Sequence, residues 1–102
     1  MKTLTNAGFT VYIGQNRIEN DKLVRTSHRD DWWVHLHDAP SAHGVIKNPD
    51  NLRISQKILK FCCRAVAGQG QVYDATRIKN VKLTDTLGCA RIDPEVIRIV
   101  RT

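Results

Sequence analysis

Three histidines are spaced so that their rings could meet at one site. His35 and His37 alternate along WWVHLH, and His43 follows the turn DAPSA, which would bring the chain back beside them. Alternate residues of a strand share a face, so the three imidazoles could hold a catalytic zinc ion. The sequence lacks the signatures that usually accompany such a site, a helical H-E-x-x-H or paired CxxC. A metal-dependent hydrolase built on these histidines is therefore kept as an alternative, and no cofactor is expected.

Trp33 beside His35 suggests a different chemistry. Aromatic and imidazole rings exposed on a sheet are surfaces on which unstacked bases can rest. The opposing interpretation is that both tryptophans are packed, Trp32 under a helix and Trp33 under a loop.

Basic residues recur at helical spacing in the segment NPDNLRISQKILKFCCRAVAG. At 100° per residue, four of them fall within about 60° of one another, opposite a broad apolar arc, and extend over about 16 Å. We call them the basic stripe: Arg53, Lys57, Lys60 and Arg64. No acidic residue interrupts the stripe, although acidic partners would stabilise the helix, which favours a bound polyanion over a merely solvated face.

A second basic cluster lies in ATRIKNVKL, near a turn, and comprises Arg77, Lys79 and Lys82. These side chains could reach phosphates, or they could simply cover an exposed loop. The two interpretations of this cluster remain equally open. Across the whole chain, 16 basic and 10 acidic residues give +6, a field that attracts polyanions such as nucleic acid or anionic lipid.

Length and composition place the chain among small soluble proteins. With 102 residues, one domain over 1–102 is expected. No stretch approaches the roughly 20 apolar residues of a membrane span, and the start lacks a secretory signal, so a cytoplasmic protein without membrane contact is predicted.

Neither the cysteines nor the glycines indicate catalysis. The three cysteines, Cys62, Cys63 and Cys89, lack metal-ligand spacing and are expected to be reduced thiols without a disulfide. Cys62 and Cys63 lie on the apolar side of the predicted helix, away from its start, so no helix dipole lowers their pKa. The sequence GQGQ lacks the lysine and hydroxyl of a phosphate-binding loop.

The predicted elements form an α+β fold. FTVYI reads as a half-buried strand, and WWVHLH with HGVIK reads as a hairpin. One principal helix is predicted at about residues 49–67, with Asn48 as its cap, Pro49 at its first position and Gly68 at its end. Because most connections are short, a mainly antiparallel sheet packed on this helix is the expected architecture.

Two segments, GQNRIENDKL and DDWWVHLHDAPSAH, together resemble the signature of the NFACT-R domain, the RNA-binding module of the NFACT proteins of ribosome-associated quality control. The matching residues are Gly14, Asn16, Asn20, Asp21, Leu23, Asp31, Trp33, His35, Asp38, Pro40, Ser41, Ala42 and His43. The likeness continues through VYDATRIKNVK and LGCARI, and so covers residues 9 to 101. The chain looks like a short, stand-alone form of the domain, so the tail-adding activity of the large family members is not carried over.

The resemblance implies a non-catalytic RNA-binding domain, with tRNA or ribosomal RNA as the expected partner. The stripe and the second cluster would contact phosphates, while Trp33, His35 and His43 would form the more selective part. We expect GQNRIEND to be a polar loop beside that face, in which Asn20 fixes the turn and Arg17 touches phosphate. A DNA-binding or general polyanion-binding module and an adaptor for ribosome-associated proteins remain alternatives.

Overall fold

The computed structural model describes residues 1–102 and has eight strands and two α-helices. In chain order these elements are β1 (Lys2–Asn6), β2 (Phe9–Gly14), α1 (Arg17–Thr26), β3 (Trp32–Leu36), β4 (His43–Ile46), α2 (Gln56–Ala67), β5 (Val72–Arg77), β6 (Val81–Leu83), β7 (Ala90–Ile92) and β8 (Arg98–Arg101). Six strands form one sheet in the order β1-β2-β4-β3-β5-β8, and all neighbours are antiparallel. The predicted α+β fold with a mainly antiparallel sheet is confirmed, including the β3–β4 hairpin.

One face of the sheet packs against α2. The main core lies between them, where Val34 and Leu59 are fully buried and Trp32 and Leu36 pack at its border. The alternation of Trp32, Val34 and Leu36 onto one face is as predicted. α2 approaches β4 so closely that a Cβ at Gly44 would lie 2.7 Å from the Sγ atom of Cys62. This contact explains why position 44 has no side chain.

The opposite face of the sheet is also covered, which the prediction of one principal helix did not include. α1 and the two-stranded β6–β7 ribbon enclose a second, smaller core. In it Trp33 and Val45 pack with Leu23 and Val24 of α1 and with Val81 of β6. The sheet therefore has α2 on one side and α1 with the ribbon on the other. Neither helix has the length and apolar character that crossing a membrane would require.

The expectation that GQNRIEND forms a polar loop is wrong, because α1 begins at Arg17 within it. Asn16 is the N-cap, and its side chain accepts a hydrogen bond from the Glu19 backbone N–H at 2.9 Å. The Glu19 carboxylate accepts one from the Gln15 N–H, also at 2.9 Å. These two bonds satisfy backbone donors that the start of a helix leaves free. The polar composition of this segment is thus that of a capped helix start.

α2 begins at Gln56, seven positions later than predicted, with Ser55 as its N-cap. Asn48 instead closes a separate turn, in which its side chain bonds both the N–H and the C=O of Leu52. Asn51 has a φ of +52°, a left-handed conformation that a helix does not admit. The predicted end is confirmed, since α2 stops at Ala67 and Gly68 is its C-cap.

A buried carboxylate holds the chain at the beginning of this turn. Asp31 is completely buried and accepts hydrogen bonds from the backbone N–H groups of Asn48 and His28. It also forms an ion pair with Lys47, whose Nζ lies 2.6 Å from its Oδ2. Asp31 thereby ties together the turn before β3 and the turn after β4.

We expect Asp31→Ala to lower the free energy of unfolding by about 3–5 kcal/mol, the usual cost of removing one partner of a buried ion pair. Asp50→Ala, at an exposed position that forms no ion pair or side-chain hydrogen bond, is the matched control and should change stability by about 0.5 kcal/mol or less. Urea unfolding followed by tryptophan fluorescence measures both. Equal effects of the two substitutions would contradict the role given to Asp31.

Candidate nucleic-acid interface

Residues of the NFACT-R signature converge on one open cleft of about 760 Å³ at the face of the sheet that carries α1. Its floor is formed by Trp33, His35 and His43 of β3 and β4. One side is the turn between these strands, with Asp38, Pro40 and Ser41; the other includes Arg17, Asn20 and the segment from Thr86 to Ala90. Signature residues separated in sequence therefore line a common cavity.

Three aromatic rings pack against one another in the floor of the cleft. The rings of Trp33 and His35 are stacked, with centroids 5.4 Å apart and planes 3° from parallel. His43 meets both edge-on, at 5.4 Å from Trp33 and 5.1 Å from His35. Trp33 is only 3% exposed, so the packed interpretation of this residue is the one the structure shows. His35 is half-buried and is the most accessible of the three rings.

His43 is held in a neutral form. Burial lowers the pKa of His43, and the neighbouring His35 contributes a smaller part of the shift, which brings the value to about 4. The indole N–H of Trp33 donates to Nδ1 of His43 at 3.3 Å, so the ring proton belongs on Nε2. Its backbone N–H donates to Oδ1 of Asn20 at 3.2 Å. The ring thus has one fixed tautomer.

Gly14 makes room for the Asn20 side chain that anchors His43. A Cβ at position 14 would lie 2.2 Å from Oδ1 of Asn20. Asn20 itself is buried on the first turns of α1. Gly14 and Asn20 are therefore positioning residues for the cleft, and Arg17, at the start of the same helix, lies exposed at its rim.

His37 does not join His35 and His43. It lies outside the cleft, where its Nδ1 is 2.7 Å from Asp74 and its Nε2 is 3.0 Å from Asp38. The hydrogen bond to Asp74 raises the pKa of His37, and the charge of Asp74 adds to the effect. No group of three or more His, Cys, Asp or Glu side chains is arranged to hold a metal ion. The three-histidine cluster required by the hydrolase alternative is not formed.

The basic stripe is partly preserved. Lys57, Lys60 and Arg64 lie on one side of α2, opposite its buried residues, and extend over about 10 Å rather than 16 Å. Arg53 precedes the helix, because α2 begins later than predicted. None of the four stripe residues forms an ion pair, and Arg64 donates only to the neutral Gln69 side chain, at 2.7 Å. Their charges are therefore available to a polyanion.

The second basic cluster is divided between two places. Lys79 is exposed in the turn after β5, and Lys82 is exposed on β6. Arg77, by contrast, is half-buried and lines a small pocket together with Arg53 and Arg98. Arg98 was not among the site residues predicted from the sequence. Its position two residues before the buried Val100 in β8 was the available signal, since alternate strand residues share a face.

The three thiols are free, and two of them are buried between α2 and the sheet. Burial raises the pKa of Cys63 to about 12 and that of Cys62 still further. These two side chains serve as core residues. Cys89 is exposed at the edge of the cleft.

Residues 1–84 match the model of the NFACT protein RNA-binding domain. The chain belongs to this family, and the expected resemblance is confirmed. The match to the family model ends at residue 84, so β7 and β8 lie beyond it. The resemblance seen in the sequence extends further, to residue 101.

Known proteins similar to the chain include a bacterial relative and a solved structure. The Rqc2 homolog RqcH of Bacillus subtilis (strain 168) is 32% identical over 83 residues, a match that covers 76% of this chain and 15% of RqcH. The solved C-terminal part of the fibronectin/fibrinogen-binding protein from Streptococcus suis superimposes with a TM-score of 0.76 at 20% identity. That superposition covers 97% of this chain and 43% of the other, and it shows a shared fold.

The neutral state of His43 predicts a loss of stability in acid. Its pKa is about 4 in the folded chain against 6.5 ordinarily, so the unfolded chain binds the proton more readily and stability falls as the pH drops from 6.5 to 4. This gap corresponds to roughly 3 kcal/mol. In the His43→Asn variant, the new side-chain oxygen can still accept the hydrogen bond from Trp33. We expect the free energy of unfolding of this variant to fall between pH 7 and pH 4 by about this amount less than that of the wild type.

Urea unfolding at both pH values measures the difference. His37→Asn is the control, because the pKa of His37 is raised in the folded chain. Its contribution to stability is therefore present below pH 6.5 and is lost as the pH rises through the folded pKa, in the direction opposite to that of His43. A His43→Asn variant with the same acid sensitivity as the wild type would contradict a neutral His43.

Proposed function

We propose that the chain is a non-catalytic module, one domain over residues 1–102, that binds structured or single-stranded RNA. The observation that carries this proposal is a set of cations on α2 without carboxylate partners: Lys57, Lys60 and Arg64. The chain that carries them belongs to a family of RNA-binding domains. Lysine and arginine attract phosphates regardless of sequence, so this surface supplies affinity. Arg17, Arg53, Arg77, Lys79 and Lys82 extend the contact along the chain.

The cleft supplies the more selective part of the interaction. His35 presents a half-buried ring already stacked on Trp33, and a base placed on its free side would extend that stack. The neutral His43 offers a polar ring nitrogen at the same floor. Trp33 is buried, so it acts by holding the two imidazoles in place.

Transfer RNA and ribosomal RNA are the proposed ligands, and the site of action is the cytoplasm, on or near the ribosome, with ribosome-associated proteins as further partners. Similarity to a protein named as an Rqc2 homolog supports this setting, although the chain spans only 15% of that relative. The rival is a module that binds DNA or any polyanion, since phosphate contacts alone do not distinguish RNA from DNA. The 2′-hydroxyl is the group that a selective site would read.

Replacing all four stripe residues with glutamine should flatten the salt dependence of RNA binding. If each neutralises one phosphate, the slope of log affinity against log salt concentration changes by roughly 3 to 4. Titration of labelled tRNA at several chloride concentrations measures the slope. The control carries the same charge change at four exposed positions away from the stripe, namely Lys2, Lys22, Arg29 and Arg91.

The stripe does not bind RNA phosphates if its variant keeps the wild-type slope, or if the control variant flattens the slope equally. Competition between RNA and DNA of matched length and sequence separates the main proposal from its rival. Equal competition by DNA would favour the general polyanion-binding module.

The cleft predicts a loss of affinity that does not depend on salt. His35→Ala should weaken binding of single-stranded RNA by about fivefold or more, because stacking of a base on a ring contributes about 1–3 kcal/mol. His28→Ala is the matched control, since His28 is an exposed histidine that does not line the cleft. Fluorescence anisotropy with a labelled oligonucleotide measures both variants. Equal affinities for the two would exclude stacking on His35.

A further inference from the structure

A small pocket of about 390 Å³ lies at the start of α2, away from the histidine cleft. Arg53, Arg77 and Arg98 line it, together with Trp32 and the first residues of the helix. Its lining contains no aspartate or glutamate. The three arginines come from different parts of the chain: the turn before α2, the end of β5 and the start of β8.

Strand pairing explains why these side chains meet. Arg77 lies opposite Trp32 across the β3–β5 pair, and Arg98 lies opposite Ala75 across the β5–β8 pair. Opposed residues share a face of the sheet, and Ala75 is buried in the core beneath α2. Arg77 and Arg98 are therefore both on the α2 face, next to the point where the helix begins.

Arg77 is fixed in place without losing its charge. Its guanidinium carbon lies 5.1 Å from the centroid of the Trp32 ring, a cation–π contact. One nitrogen, Nη1, donates to the backbone oxygen of Asp30 at 3.0 Å and to the side-chain oxygen of Asn51. Both acceptors are neutral, and none of the three arginines forms an ion pair.

Trp32 gives a second sign that the pocket is built for a ligand. Its indole nitrogen is the one buried side-chain polar atom in the chain without a hydrogen-bond partner. Buried polar groups in folded proteins are normally paired, and exceptions are often associated with a bound ion or a functional site. The adjoining first turn of α2 has no acidic residue, so the positive end of the helix dipole reinforces the arginines.

We propose that this pocket is a phosphate-binding site, in which Arg53, Arg77 and Arg98 bind a phosphate group of RNA. Arginine suits this role because its planar set of donors matches phosphate oxygens. The pocket lies next to the basic stripe on α2, so a strand crossing the stripe would place a phosphate in it. The choice of RNA as the source of the phosphate rests on the proposed function.

Trp32 makes the site directly observable. The chain has two tryptophans, so a ¹⁵N-labelled sample gives two indole N–H signals, and Trp32→Phe identifies them. On titration with inorganic phosphate at constant ionic strength, the Trp32 signal should shift while the Trp33 signal, whose N–H is bonded to His43, does not. Arg98→Gln should reduce this shift, and Arg91→Gln, on the exposed face of the ribbon, should leave it unchanged.

A second arm uses RNA. Arg98→Gln should lower the slope of log affinity against log salt concentration by about 1 for all sequences, whereas Lys2→Gln, at an exposed position on β1, keeps the wild-type slope. Arg98→Lys keeps the positive charge and should recover part of the affinity, which separates loss of a phosphate contact from a disturbed strand.

The outcomes are distinguishable. An unmoved Trp32 signal, or an Arg98→Gln variant whose phosphate response equals that of the wild type, overturns the site. A phosphate response together with unchanged RNA binding by Arg98→Gln overturns RNA as its source and leaves free phosphate. A wild-type chain that binds phosphate at Trp32 but binds no RNA refutes the proposed function while the pocket stands.

Discussion

The structure depends on strand β3 being covered on both faces. Because side chains alternate along a strand, Trp32 and Val34 enter the core beneath α2, and Trp33 enters the core beneath α1. A shift by one residue would exchange every side chain between the two cores, so the register is strongly specified. The same alternation separates two candidate sites. Trp33 and His35 form the floor of the cleft, whereas Trp32 lies beneath Arg77 on the other side of the sheet.

Much of the NFACT-R signature acts by positioning the chain. Asp31 is buried and binds two backbone N–H groups and Lys47, while Asn16 caps α1 and Asn20 anchors His43. Asp31 and Asn20 are buried, and buried polar groups need hydrogen-bond partners, which restricts the residues that can replace these two. The buried part of the signature therefore specifies the shape of the cleft, whereas its accessible part comprises the half-buried His35 and the exposed Asp38 and Pro40.

The charged side chains divide into those that form ion pairs and those that do not. Several acidic side chains are paired, Asp21 with Arg25, Asp74 with His37 and Glu19 with the chain's own amino terminus, whereas the cations of α2 and of the arginine pocket have no such partners. A cation without a carboxylate partner is surrounded by water and counterions. A polyanion could displace these without first breaking an ion pair. Because His43 is neutral, it adds no charge to the ring-lined cleft, in contrast to the cationic surface of α2.

The sequence by itself determined the α+β class, the β3–β4 hairpin, the end of α2 at Gly68 and the family, because strand alternation, a terminating glycine and an ordered motif are local properties of the chain. Only the tertiary structure decided where α2 begins, since the Asn48 side chain, which could have capped a helix, instead closes a turn with Leu52, and the distant Asp31 binds the Asn48 backbone N–H. It also separated His37 from His35 and His43, and it brought Arg98 beside Arg53 and Arg77. These outcomes depend on contacts between residues far apart in sequence, which no local pattern encodes.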